Sequence, residues 1–341
     1  MFIPTLIRGP KGSWNVRLIY LLAALTTISQ GAFEFAYPLD LHRRGMPLDV
    51  IDGAVAATAL GQLAARVPGG AWYRPATARR LNAGGQLLFG LSALGVAATG
   101  LFLLKAPLGA VHGAAFGLVT TWQLAMLIES RPEARPVGPM LAWYTAAISL
   151  GYSIGYLLAA YAIAWIGHSG AIAVSGLIAF LGAAVTIMLR PLPVAAVEAP
   201  PSPAPAGWAA RAVAAVRLPG TIWLASLLVL YINFLSDSVG TFFPIYGLAI
   251  GLPLAFVGLL RSINSLAATG VRFAAAAVLR LAPPAGLNHA AVIAMALCAL
   301  LLSAFRQEWI LALAFLGLGL SRGLIRVTSA TAVAEERERL G

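Results

Sequence analysis

Charge, cysteine and lysine are all scarce in this chain of 341 residues. Asp, Glu, Lys and Arg make up 10% of it and hydrophobic residues 60%, whereas water-soluble domains carry about 25% charged residues. With a mean hydropathy of +0.85, a soluble globule is excluded and the chain reads as an integral membrane protein. Cysteine is limited to Cys298, inside an apolar run, which excludes a disulfide framework and any cysteine-based metal site within one chain. The histidines His42, His112, His168 and His289 lie in four separate regions and make no ligand spacing. There is no zinc-type His-Glu pair, no Ser-centred glycine elbow, no phosphate-cradling loop and no carboxylate cluster at a membrane interface. An enzyme is therefore not expected, nor is a cofactor, and no pore ring or filter signature suggests a channel. The net charge of +11 is spread over short gaps between apolar runs, so the positive-inside rule accounts for it better than a nucleic-acid partner does.

What is present is a series of apolar segments long enough to cross about 30 Å of hydrocarbon at about 1.5 Å per residue. They lie near 17–38, 49–70, 82–104, 107–128, 139–166 and 170–189, then near 219–246, 253–281, 287–304 and 309–333. The apolar run behind Arg8 and Lys11 ends without a small-residue cleavage site, which predicts a retained first helix rather than a removed signal peptide. The tract 191–217, with VAAVEAPPSPAPAG in its middle, has too much proline for a helix or a packed core and reads as a linker. Within it, Trp208 to Arg217 reads either as a short surface helix or simply as linker. The expected organisation is a six-helix bundle over 1–190, a cytoplasmic linker over 191–217 and a four-helix partial bundle over 218–341. Alternate connections carry fourteen and four Lys and Arg residues, which places both termini and the linker in the cytoplasm. Arginine-heavy usage with abundant Ala and Gly fits a high-GC bacterial genome and hence an inner membrane.

The chain also contains a repeat. A constant shift of 206 residues lays Gly31–Arg80 over Asp237–Gly286 without a gap. Pro38 falls on Pro244, Gly45 on Gly251, Pro47 on Pro253, Arg66 on Arg272, Arg74 on Arg280 and Asn82 on Asn288. Downstream, Gly113 falls on Gly319, Gly117 on Gly323 and Glu129 on Glu335. Identities of Pro, Gly, Arg and Asn at one offset indicate duplication of a unit of about six helices. By the same shift Gly341 corresponds to Arg135, just before the first half's fifth span. The second half is thus expected to stop where its last two helices would begin.

Two parallel repeats, a cytoplasmic central linker and an Arg-rich loop after the second helix resemble the major facilitator superfamily of secondary transporters. The family's loop between helices two and three is matched here by Gly69, Gly70, Ala71, Trp72, Tyr73 and Arg74, then Arg79 and Arg80. Tyr73 stands where the family places Asp, and Ala76 where it places Gly. On the fifth helix Gly151 and Gly155 keep the glycine spacing of a family signature without its proline, and their size predicts close helix packing. The resemblance implies an all-α membrane fold whose repeats are related by a pseudo-twofold axis along the membrane normal.

It also implies that helices one, four, seven and ten line a central cavity. Ionisable groups within spans cost about 2.5–3.5 kcal/mol at the helix centre and need a partner or water. Such groups are Glu34, Arg66, Asp237, Arg261, Arg272, Arg322 and Arg326, with His112 at the start of the fourth span, and of these Glu34, Asp237, Arg322 and Arg326 lie on the implied cavity helices and are the candidates for a substrate or proton site. Arg322 and Arg326 share one helix face, suited to clamping an anion or pairing with the carboxylates. The plain alternative is that the acids only neutralise the arginines. Gln30, Gln123, Tyr231 and Asn233 add neutral polar groups, each of which equally suits ordinary packing. Arg66 and Arg272, with Arg74, Arg79 and Arg80, are candidates for gating or for the cytoplasmic loop, and snorkelling or carbonyl bonding is the structural alternative for the repeat-related pair. His112 reads as a packing histidine or a proton relay.

The resemblance implies a secondary transporter of a small organic solute working by alternating access, with proton-coupled efflux as one mode. Its expected partners are that solute, protons and membrane lipid. The alternative is a truncated, non-transporting relative acting as a sensor, interaction partner or gene fragment, for which an oligomer is expected.

Overall fold

The computed structural model describes residues 14–130, 137–191 and 219–340. The linker beyond Pro191, the segment Trp208–Arg217 and Arg131 lie outside them. Nine helices among the described residues are long and apolar enough to cross a bilayer. The first four are α1 (Trp14–Arg43), α2 (Leu48–Trp72), α3 (Ala78–Ala98) and α4 (Phe102–Glu129).

The next helix, Val137–Ile187, has 51 residues, about 75 Å of rise for a hydrocarbon layer of about 30 Å. It crosses twice. Gly167 within it has φ 75 and ψ 176, a conformation that glycine adopts without steric cost, and there the chain doubles back. Tyr20 and Trp14, at one end of α1, donate to the carbonyls of Met140 and Met188 at 3.3 and 3.2 Å. Ser169, beside the break, donates to Asp40 at the other end of α1 at 3.4 Å. The two arms are α5 (137–166) and α6 (168–187).

The second half contributes α7 (Gly220–Ala249), α8 (Leu254–Phe273), the short α9 (Ala275–Leu281), α10 (Pro284–Ala304) and α11 (Glu308–Leu340). The eighth span, expected to run to 281, ends at Phe273 and is followed by α9. The run Ala274–Ala277 contains no helix breaker, so apolar length was the only signal there and it overshoots. The fold is all-α, with six crossings followed by four.

The repeat is visible in the packing. Gly45 and Gly251 both take positive φ, 77 and 86, and Pro47 and Pro253 then cap α2 and α8 with extended backbone. Gly113 on α4 sits against the Thr58 carbonyl, and its counterpart Gly319 on α11 against that of Asn264. Gly117 likewise meets Gln62, and Gly323 meets Ala268. Both partner pairs are again 206 residues apart. A Cβ at any of these glycines would strike the neighbouring backbone, and in lipid such close approach is what holds helices together.

The halves meet along two pairs of helices, α5 with α8 and α1 with α7. The α5–α8 seam is laced by hydroxyl-to-carbonyl bonds. Ser262 donates to Ser153 O at 2.7 Å, Ser153 returns a bond to Ser262 O at 3.3 Å, and Ser265 donates to Ser149 O at 2.9 Å.

Candidate functional site

A cavity of about 120 Å³ lies between the halves. The first two helices of each repeat line it: Gln30, Phe33, Glu34, Tyr37 and Pro38 from α1, Val55, Thr58, Ala59 and Gln62 from α2, Asp237, Gly240 and Thr241 from α7, and Arg261 from α8. These positions fall in the half of the helices nearer the α1–α2 and α7–α8 turns. The repeat breaks down here in a particular way. At the shift of 206, Glu34 corresponds to Gly240, Arg261 to Val55 and Asp237 to Gly31. Each charged wall residue thus faces a symmetry mate that is apolar or absent, which gives a duplicated scaffold an asymmetric, charged interior.

Glu34 is half-buried. Gln30 Nε2, one turn earlier on α1, donates to its Oε1 at 2.9 Å, and the Tyr156 hydroxyl on α5 donates to Oε2 at 3.3 Å. No ion pair shorter than 4 Å forms at Glu34 or Asp237 among the described residues, although Asp237, Arg261 and Arg322 all lie within electrostatic reach of Glu34. Arg261 donates through Nη2 to the Tyr156 oxygen at 3.0 Å, and its guanidinium carbon stands 4.5 Å from the centroid of the same ring, a cation–π arrangement. It also packs against Gly240, where a Cβ would come within 2.5 Å of Nη1 and 2.6 Å of Nη2. Gln30, Glu34, Tyr156 and Arg261 therefore form one polar chain that crosses from the first half to the second. A carboxyl group joined to a phenol and a guanidinium, beside an open cavity, is equipped to take up and release a proton.

The other residues singled out in the sequence are distributed as follows. Asp237 lines the cavity and is exposed in it. Arg322 stands close enough to Glu34 to interact electrostatically, and its Nε has no hydrogen-bond partner. Arg326 donates to Asn233 Oδ1 at 2.7 Å, a bond between α11 and α7 inside the second half, so it pairs with an amide and not with a carboxylate. Tyr231 is exposed on α7 and lies outside the cavity lining. Gln123 is buried in the first bundle, where it and Gln86 both donate to Thr26 Oγ1, at 2.9 and 2.6 Å.

Arg66 and Arg272 do not behave alike. Arg272 donates across the seam to Thr145 O at 3.2 Å and to Ser149 Oγ, whereas Arg66 is exposed on α2. At the start of α3, Arg79 donates to Leu189 O at 3.1 Å and Arg80 is exposed, as is Arg74 in the loop after α2. Tyr73 donates to Glu129 Oε2 at 2.6 Å, joining that loop to the end of α4 by a phenol–carboxylate bond. Burial first, and the Glu129 carboxylate second, push the Tyr73 phenol well above its ordinary range. Gly151 and Gly155 lie against Ala24, Thr27 and Ile28 on α1, too close for any side chain. His112 is stacked between Phe33 and Phe89, with ring centroids 3.8 and 4.2 Å away, and its Nδ1 lies 3.1 Å from Phe89 O.

Sequence reasoning left Arg261, Tyr156 and Gly240 out of the site. The signal for Arg261 was available, since a charge opposite an apolar repeat mate marks the place where two copies have diverged. An ion-paired triad built on the buried Asp40 and Lys105 was also missed. Lys105 Nζ lies 2.8 Å and Arg44 Nε 2.9 Å from the same Asp40 oxygen. No group of three or more His, Cys, Asp or Glu suited to a metal ion occurs among the described residues.

No curated protein matches the sequence. Among solved structures, the nucleoside transporter NupG matches with a TM-score of 0.76 at 10% identity, covering 95% of this chain and 83% of that one. A D-xylose-proton symporter matches with a TM-score of 0.66 at 15% identity, covering 93% and 87%. At such identities the likeness establishes the fold alone. The family pattern of the Major Facilitator Superfamily matches residues 19–341, and by that match this chain belongs to the major facilitator superfamily.

Proposed function

We propose that this protein is a secondary active transporter that moves a small organic solute across the membrane by alternating access, coupled to protons through Glu34. The observation that carries this reading is the cavity between the two repeats, into which both halves place charged groups without pairing them. A site built only to hold helices together closes its charges into ion pairs, as Asp40 does with Lys105, because an unpaired charge in the membrane is costly. Asp237 and Arg261 instead remain available to a solute. Family membership supports the same reading, and a site between repeats is suited to rocking one half against the other. The excess of Lys and Arg on alternate connections supports an inner-membrane orientation with the N-terminus and the central linker in the cytoplasm.

The test is reconstitution of the full chain in liposomes, loaded in turn with unlabelled sugars, nucleosides and organic acids, followed by counterflow of the labelled solute. Exchange of at least one solute class is expected. An imposed pH gradient should accelerate its net movement in the native protein and leave Glu34→Gln unaffected, while that variant retains exchange. A folded native protein that exchanges none of the classes would overturn the proposal in favour of the non-transporting alternative.

A further inference from the structure

We propose that the solute is a small organic carboxylate and that Arg261 is the group that holds its anionic end. This rests on the transporter reading above and narrows it to a chemical class. Among the described residues Arg261 is the only cationic side chain lining the cavity, and no carboxylate among them lies within ion-pair distance of it. It is nevertheless fixed in position. The guanidinium lies over the Tyr156 ring, whose hydroxyl accepts one hydrogen bond from Nη2, and Gly240 lies close against Nη1 and Nη2. The buried Nε has no partner. A planar guanidinium fixed by an aromatic ring and a close-packed glycine, with donors unspent, is preorganised for two-point bonding to a carboxylate.

The neighbouring acids do not fill that role. Glu34 is already bonded by Gln30 and Tyr156, and Asp237 stands beyond ion-pair reach of Arg261. On the same cavity wall, Thr58, Gln62 and Thr241 offer neutral hydrogen-bonding groups, suited to the hydroxyls of a hydroxy acid. A volume of about 120 Å³ corresponds to about four waters at about 30 Å³ each, the scale of a lactate- or glycerate-sized molecule rather than of a peptide or a lipid. The first half, with Val55 where Arg261 stands, cannot hold an anion in this way, so one carboxylate is expected per chain.

The experiment is calorimetric titration of the purified full chain with lactate, glycerate and gluconate, each beside its neutral amide, and with D-xylose and uridine. At least one acid is expected to bind about tenfold or more tightly than its amide, as loss of a charge-assisted bond implies. Arg261→Gln should abolish that preference, and Gly240→Ala, which keeps the charge but moves the guanidinium off its seat, should weaken it. If Arg261→Gln does not fold, as judged by its melting curve, Gly240→Ala alone decides. No binding by any acid, equal binding by acid and amide, tighter binding of xylose or uridine, or unchanged acid binding in the folded variants overturns the proposal. Counterflow separates it from the broader reading. An acid that binds but is never exchanged defeats transport and leaves the anion site standing, while exchange of a neutral solute alone does the reverse.

Discussion

Ser153 and Ser262 exchange hydrogen bonds across the seam between the two halves, each hydroxyl donating to the other's carbonyl oxygen, at 3.3 and 2.7 Å. Two helices that bond backbone to side chain in both directions lie very close. In a protein whose halves rock against each other, such a contact must slide or pivot. The scarcity of cysteine makes this testable, because Cys298 on α10 is the only native thiol. A Ser153→Cys, Ser262→Cys double variant should form a disulfide on mild oxidation. A protease site placed in the 192–218 linker will report it, since the cleaved chain should migrate as one band until reduced. Oxidation should lower solute exchange about tenfold or more and reductant should restore it, because fixing one conformer removes the other from the cycle. Full exchange by the cross-linked protein would show that the seam does not move.

The buried Asp40–Lys105 pair at the far end of α1 supports a prediction about stability. The Asp40 and Lys105 side chains are both fully buried, Lys105 also donates to Val96 O at 2.7 Å, and Tyr37 donates to Lys105 O at 3.1 Å. The pair thus ties α1, α3 and α4 together. Lys105→Met leaves Asp40 with the partly exposed Arg44 as its remaining ion-pair partner, and breaking a buried pair on one side costs about 3–5 kcal/mol. The double variant Asp40→Asn, Lys105→Met removes both charges and should recover most of that loss. Thermal unfolding of the single and double variants in one detergent measures the difference, and equal melting points would refute it.

How much of this was legible follows from what each feature leaves in the sequence. Spans are written in apolar length, and the repeat in Pro, Gly, Arg and Asn at one offset, so both can be read directly. Asp40 and Lys105 were not, because charges near helix ends look like loop charges until tertiary packing buries them. The seam was equally silent, since a serine that bonds a carbonyl on another helix has no local pattern to distinguish it from any small residue. Glu34 and Asp237 stood out as charges within spans. Arg326 stood out for the same reason, yet it bonds Asn233, because helix assignment says which helix a residue is on and not which way its side chain reaches.

The Tyr73–Glu129 bond gives a prediction with a defined pH window. Tyr73→Phe removes a hydrogen bond to a carboxylate, worth about 1.5–3 kcal/mol, from the junction of the α2–α3 loop with α4. The folded-state pKa of Tyr73 is raised above its ordinary value of 10.0. The stability linked to it is therefore fully present below pH 10 and is lost only as pH climbs past that value, where the unfolded chain ionises and the folded one does not. Melting curves of the native protein and Tyr73→Phe should differ by a constant amount from pH 6 to 9 and converge above about 10. A gap that closes at lower pH would mean that Glu129, and not Tyr73, governs the bond.

The matched glycines test whether the two halves share one packing rule. Gly113 and Gly319 make the same contact in the two repeats, against Thr58 O and Asn264 O. A methyl group at either position meets backbone rather than a flexible side chain, so the helices themselves must separate. Gly113→Ala and Gly319→Ala should each destabilise by about 1–3 kcal/mol, the usual cost of overpacking. Their functional effects should differ, however. Thr58 lines the cavity and Asn264 does not, so Gly113→Ala pushes a wall of the site, whereas Gly319→Ala moves a contact in which Asn264 donates to Phe315 O at 3.2 Å. Solute affinity should therefore fall in Gly113→Ala and stay near native in Gly319→Ala, at similar losses in melting temperature. Equal losses of affinity would mean that the packing strain spreads through both halves.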